Sequence, residues 1–195
     1  MEKLLQEKLL QEKLNPDETL LWTAKPEAFE TLDAAYKAPI VRKIMLVVLG
    51  IVILGGWYVS AAIANGVKVQ PVAIVVCALP FLYSIWNDFS DAKKLRTQIV
   101  YGLTNQRILT FNGKQLDGQE YGKVTDYAFI TDEAGHISLV CGPDALKAGE
   151  KKTREEAVCG FRMNIDTDTC ESYAMYGITE HVKQMQAILD KHIAV

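Results

Sequence analysis

Charge is what this sequence lacks over its longest stretch: from Ile44 to Asn87, 44 residues carry one charged side chain, Lys68. The gap divides into two apolar runs, Ile44 to Ala64 and Val72 to Trp86, around the turn-like stretch Asn65 to Pro71. The first run has 21 residues. As a helix it is about 31 Å long, enough for a hydrocarbon core of about 30 Å. The second reaches spanning length if its helix starts near Pro71, where a missing N–H is no loss, and continues to Asp88 or Asp91. A transmembrane helical hairpin over residues 44–91 is expected. The first 43 residues carry eight acids and seven bases, unlike a cleavable signal peptide, so the first crossing is expected to act as an uncleaved anchor.

Other absences narrow the function. The net charge of −3 leaves no basic surplus, and duplex binding needs one to displace counterions, so nucleic acid is not expected as a partner. The four cysteines, Cys77, Cys141, Cys159 and Cys170, show no C-x-x-C spacing and read as small buried hydrophobes of a reducing compartment. His136, His181 and His192 stand singly; the last two are about 16 Å apart along a helix, too far for one metal. There is no Gly-rich phosphate loop, nucleophile elbow or HExxH. No enzyme activity, metal or cofactor is expected. Neither span has a charge or histidine deep within it, which argues against a transporter or channel.

What is present sets orientation and packing. Lys37, Arg42 and Lys43 precede the first run, and Lys93, Lys94 and Arg96 follow the second, against Lys68 alone in the connection, so both termini are expected to be cytoplasmic. Gly56, Ser60 and Ala64 recur every four residues, a face where a second helix backbone comes close: the other helix of the hairpin, or that of a neighbouring subunit. Pro80 should kink the second helix. The N-terminus repeats Glu-Lys-Leu-Leu-Gln at 2–6 and 7–11, then Glu-Lys-Leu at 12–14. A period of five makes no continuous stripe, so a frayed helix ending before Pro16 is expected, with docking as an alternative. Phe29, Leu32 and Tyr36 form a short amphipathic stretch suited to the membrane surface.

After Arg96 the pattern alternates. Ile99, Tyr101 and Leu103, then Ile108, Leu109 and Phe111, then Tyr127 and Phe129, then Ile137, Leu139 and Cys141 read as short strands, with Asn112-Gly113, Asp117-Gly118 and Asp132 to Gly135 as turns. A charged loop, Gly142 to Glu156, precedes an apolar segment with Val158, Phe161, Met163 and Ile165. Ile178, Val182, Met185, Leu189 and Ile193 mark one face of a closing helix opened by Thr179 and Glu180. About seven antiparallel strands capped by a C-terminal helix, a barrel or sandwich of pleckstrin-homology-like order, are expected over residues 97–195. Residues 1–43 are expected as a separate cytoplasmic lead-in.

The stretch Tyr101 to Gly113, YGLTNQRILTFNG, resembles the opening hairpin of the bacterial pleckstrin-homology-like membrane proteins. Leu14 to Pro26, LNPDETLLWTAKP, is similar to the segment these proteins place before a transmembrane hairpin, and Tyr176-Gly177-Ile178 to their C-terminal ending. The N-terminal repeat is outside that pattern. The resemblance implies an architecture more than an activity, with oligomerisation or partner binding as the usual suggestion. It makes Asn105 and Arg107 structural, Asn105 taking the tight-turn conformation and Arg107 anchoring the turn by hydrogen bonds. A phosphoinositide site needs a long basic loop between the first two strands, and Thr104 to Arg107 has one base. The remaining basic cluster, Lys147, Lys151, Lys152 and Arg154, is interleaved with Glu150, Glu155 and Glu156. It is the candidate anionic-lipid patch, set against a solvated mixed-charge loop.

The expectation is a membrane-anchored binding or scaffold module without catalysis, partnered by the bilayer and by further copies or another membrane protein. The alternatives are an anionic-lipid or envelope-stress sensor and an accessory subunit of a larger membrane complex.

Overall fold

The computed structural model describes residues 8, 10–30, 32–148, 153–179 and 181–193, the side chains of residues 34–36, 77 and 148 excepted. The chain forms two compact units: residues 31–90, and residues 1–30 together with 91–195.

The first unit is the hairpin. Helix α1, Ala34–Ala64, and helix α2, Pro71–Thr97, are each long and apolar enough to cross a membrane. Helix α2 begins at Pro71 as the chemistry of a first helical position requires, and it continues past Pro80 and Asp91 to Thr97. The hairpin is latched at both ends. At one, Lys43 Nζ donates to both Asp88 carboxylate oxygens at 2.8 Å and to the Ser84 carbonyl at 3.1 Å. At the other, the Gln70 N–H donates to the Tyr58 hydroxyl at 3.2 Å. Between the latches Ile51, Leu54, Gly55 and Tyr58 of α1 meet Ala73, Ile74, Ala78 and Phe81 of α2 around an apolar cavity of about 20 Å³.

The second unit holds two four-stranded antiparallel sheets. The first has the order β1 (Leu20–Ala24), β2 (Val100–Thr104), β3 (Arg107–Phe111), β4 (Leu116–Glu120). The second has β5 (Tyr127–Thr131), β6 (Ile137–Cys141), β8 (Thr169–Met175), β7 (Arg162–Asn164). Strands β2, β3, β5 and β6 lie where the alternation places them. Strand β1 does not belong to a separate lead-in: Leu20 pairs with Thr104 and Ala24 with Tyr101, so the hairpin is inserted between two hydrogen-bonded neighbours of one sheet.

Every residue of β2 is buried, which requires cover on both faces. On one face the sheets join through Tyr101, whose hydroxyl accepts the Tyr176 N–H at 2.9 Å, and through the Thr110 and Tyr173 hydroxyls. The opposite face carries Val100 and Phe111, sealed by Leu10 with Leu20 and Leu116. Asp117-Gly118, which reads as a turn, lies inside β4. A Cβ on Gly118 would fall 2.5 Å from Leu109 Cδ2, and glycine there lets Leu109 lie flat on the sheet.

The mixed-charge loop after β6 contains two short helices, α3 (Pro143–Ala148) and α4 (Thr153–Cys159). Ile165 is not in an apolar segment but 95% exposed at the turn between β7 and β8. The closing helix α5, Val182–His192, buries Met185 and Leu189 as its spacing predicts. It starts after His181, which is left-handed at φ 55°, rather than at Thr179; Glu180 lies outside the described residues.

Candidate functional site

The two-residue turn between β2 and β3 is a polar junction. Glu18, 6% exposed, sits ahead of β1 and receives Arg107 in fork geometry: Nε to Oε1 and Nη2 to Oε2, both 2.8 Å. The Thr104 hydroxyl adds a bond to Oε1 at 2.8 Å, and the Asn15 N–H one to Oε2 at 3.1 Å. The Arg107 guanidinium leads the interactions that hold the Glu18 carboxyl at about 2, against the pull of burial. Asn105 completes the junction, its Oδ1 accepting the Thr19 N–H at 2.9 Å and its Nδ2 donating to the Asp17 carbonyl at 3.2 Å. The left-handed non-glycine residues among those described are Asp168 and His181. Asn105 therefore works through its amide and not through a strained tight-turn backbone.

A second cluster lies where the chain leaves β1 toward α1. The Glu27 N–H donates to the Gly177 carbonyl at 2.6 Å, and Gly177, at φ 64°, leaves the space that this approach needs. Phe29 is buried and meets Tyr176 edge-on at 5.3 Å between centroids. The Arg154 guanidinium lies 3.9 Å from the Phe29 ring centroid and 4.8 Å from that of Tyr176, and donates to the Tyr176 hydroxyl at 2.8 Å. That hydroxyl also meets His136 Nδ1 at 3.0 Å, and the same nitrogen lies 2.9 Å from Asp132 Oδ2. Burial pushes the Asp132 carboxyl up, but hydrogen bonds from His136 and the Ala134 N–H outweigh it and hold it below its ordinary value.

Asp, His and Tyr in series suggest proton transfer, yet Tyr176 is 0% exposed and its hydroxyl is surrounded by protein groups. The arrangement is a clasp on the segment between β1 and α1. No family model, curated protein or solved structure matches this chain. Among the described residues no three metal-ligating side chains converge.

Of the four-base patch, the structure describes Lys147 and Arg154. Arg154 is 7% exposed and turned inward onto Phe29, while Lys147 is exposed on α3; Lys151 and Lys152 lie outside the described residues. Within the hairpin, Gly56, Ser60 and Ala64 are exposed, and a Cβ on Gly56 would meet nothing within 4 Å. The face that meets α2 is one residue round the helix, at Gly55, so this stripe does not join the two helices of one chain. Of the amphipathic stretch, Phe29 lies in the domain interior and not on a surface, Leu32 is 45% exposed, and the Tyr36 side chain is outside those described.

Sequence reasoning missed Glu18 and Leu10, and it placed Phe29 on the membrane surface rather than in the domain interior. The signal for Glu18 was weak: it is one of two adjacent acids, Asp17 and Glu18, just ahead of the apolar Leu20-Leu21-Trp22, and only pairing of that strand brings it to Arg107.

Proposed function

We propose that the chain is a non-catalytic, membrane-anchored module of pleckstrin-homology-like design that mediates homo-oligomerisation or binding of a membrane-protein partner at the cytoplasmic face. One observation carries this reading: β1 and β2, hydrogen-bonded neighbours, flank the apolar hairpin. This pairing supports both flanks lying on one side of a bilayer with an even number of crossings, in agreement with basic residues at both flanks. A domain tied to the membrane at two points is suited to holding partners at its surface rather than to diffusing between them. The inward turn of Arg154 takes one base from the patch that the anionic-lipid alternative would use.

Crosslinking in native membranes, followed by mild-detergent purification of the full chain, tests the proposal. Discrete products holding two or more copies, or a fixed ratio of one other membrane protein, are expected. A monomer with no fixed companion would overturn it.

A further inference from the structure

Each sheet ends in two edge strands, and three of these edges are blunted. Strand β1 has a register shift between Leu20 and Trp22, and its Leu21 carbonyl accepts Gln184 Nε2 of α5 at 3.4 Å. Strand β4 carries Asp117, Gly118 and Glu120, and the Asp117 carboxylate takes the Phe161 N–H at 3.0 Å. Strand β7 has three residues, Arg162 among them. Strand β5 differs: Tyr-Ala-Phe-Ile-Thr has no charge, proline or glycine, and it pairs with β6 without a register shift.

The hydrogen bonds at its two ends show which groups face away from β6. The Gly142 N–H donates to the Asp126 carbonyl at 2.8 Å, and the Asp132 N–H to the His136 carbonyl at 3.1 Å. Antiparallel bonding alternates, so Ala128 and Ile130 also bond toward β6, while Tyr127, Phe129 and Thr131 turn their N–H and carbonyl groups outward. Among the described residues no hydrogen-bond partner meets these outward groups. Thr131 is exposed and Tyr127 and Phe129 are half-buried, so the edge is open.

We propose that β5 pairs antiparallel with β5 of a second copy, about a two-fold axis at Phe129. The proposal rests on the oligomerisation reading above and names its surface. The outward set is self-complementary: Phe129 faces Phe129 of the second copy and Tyr127 faces its Thr131, so every outward N–H meets an outward carbonyl. The aromatic pair and the two aromatic–β-branched pairs share one face. Within the paired stretch no charge meets a like charge; at its ends Asp126 meets Asp132, whose carboxylate is 7% exposed and held by His136. One strand pair buries less than the about 1,000 Å² of a stable interface in solution. Confinement of both partners to one membrane raises their effective concentration and makes up the difference, which favours a second anchored copy over a free peptide.

Disulfide trapping of the full chain in native membranes, in a background lacking the native cysteines, tests the register. Paired positions across the axis have Cα atoms about 5.5 Å apart; like positions two residues from the axis are about 14 Å apart, beyond the disulfide limit of about 7 Å. F129C should link to itself. Y127C and T131C should each stay unlinked alone, and should link to one another when two differently tagged copies are co-expressed. Links between two Y127C copies overturn the pairing. T131P removes an outward N–H, keeps the bonds to β6, and should lower the yield of amine-crosslinked dimer about tenfold, as loss of two hydrogen bonds does. Dimers that T131P leaves unchanged, with no disulfide at F129C, overturn the β5 pairing and leave oligomerisation standing through another surface. Single chains by both measures, with no fixed companion, overturn the oligomerisation reading as well. Loss on T131P of a different membrane protein held in fixed ratio overturns the second-copy occupant and assigns the edge to that protein.

Discussion

Glu18 gives the domain a titration of its own. Its carboxyl is held at about 2 in the fold against an ordinary 4.5, so the charged form is bound more tightly than in the unfolded chain. A lowered pKa contributes stability that is complete above the unfolded value and is lost as pH falls toward the folded one. The contribution is about 3 kcal/mol at neutral pH, fading between about pH 5 and pH 2. Glu18→Gln should cost about 2–3 kcal/mol at pH 7, since it leaves Arg107 without its anion, and the gap to the unsubstituted chain should close by about pH 2. Urea unfolding of both chains across that range measures it; a gap independent of pH would refute the pairing. Two glycines make a graded comparison. Gly135, at φ 88°, has open space around it, whereas a Cβ on Gly142, at φ 87°, would lie 2.5 Å from the Glu171 carbonyl oxygen. Gly135→Ala should cost about 1–2 kcal/mol from backbone strain alone. Gly142→Ala should cost more than about 3 kcal/mol, because backbone cannot give way as a side-chain tip can. At this scale the sequence signalled Arg107 but not its partner, which lies 89 residues away across the hairpin. Arg154 misled for a related reason: its acidic neighbours in sequence suggest solvent, and the aromatic pair that receives it comes from distant segments.

Elements with a strong period were legible and elements without one were not. The hairpin, β2, β3, β5, β6 and the face of α5 follow from apolar runs, alternation or helical spacing. Strand β4 was hidden because Asp117-Gly118 has turn chemistry, which pairing with β3 overrides. Strand β8, Thr-Cys-Glu-Ser-Tyr-Ala-Met, mixes polar and apolar residues because its end is buried on both faces. Strand β1 was read as a lead-in because its partner comes after the hairpin. In the hairpin itself the packing face is one residue away from the visible stripe. Gly55→Leu should therefore push α2 away and abolish cysteine crosslinks between the helices within a chain, since the Ile74 methyl already lies 3.9 Å from a Cβ built there. Gly56→Leu should leave those crosslinks unchanged. Loss of crosslinking in both variants would mean that the helices do not meet through Gly55.

For the molecule as a whole, the domain is discontinuous. A fragment of residues 97–195 lacks β1, Leu10, Glu18 and Phe29, and so exposes the β2 edge and one apolar face of its sheet. It should show no cooperative unfolding transition by circular dichroism, and a cooperative one would show that β1 is dispensable. In intact cells, in a chain without the native cysteines, single cysteines at Asn65 or Gly66 should react with an impermeant thiol reagent from outside while one at Gly113 should not. Labelling at Gly113 would overturn the proposed cytoplasmic placement of the domain.

The insertion of a hairpin between paired strands also sets the order of events during synthesis. After Ala24 leaves the ribosome, 75 residues must follow before Val100 appears. At about 5–20 residues per second that is a wait of about 4–15 s for an unpaired, apolar strand. Under the proposed topology both helices enter the bilayer over those seconds. If the second fails to cross, β2 emerges on the far side, where β1 can never reach it. Under the proposed topology, closure of the first sheet doubles as a proofreading step: the domain reaches its native state only in chains whose membrane insertion is complete, and a misinserted chain is left with a naked strand edge.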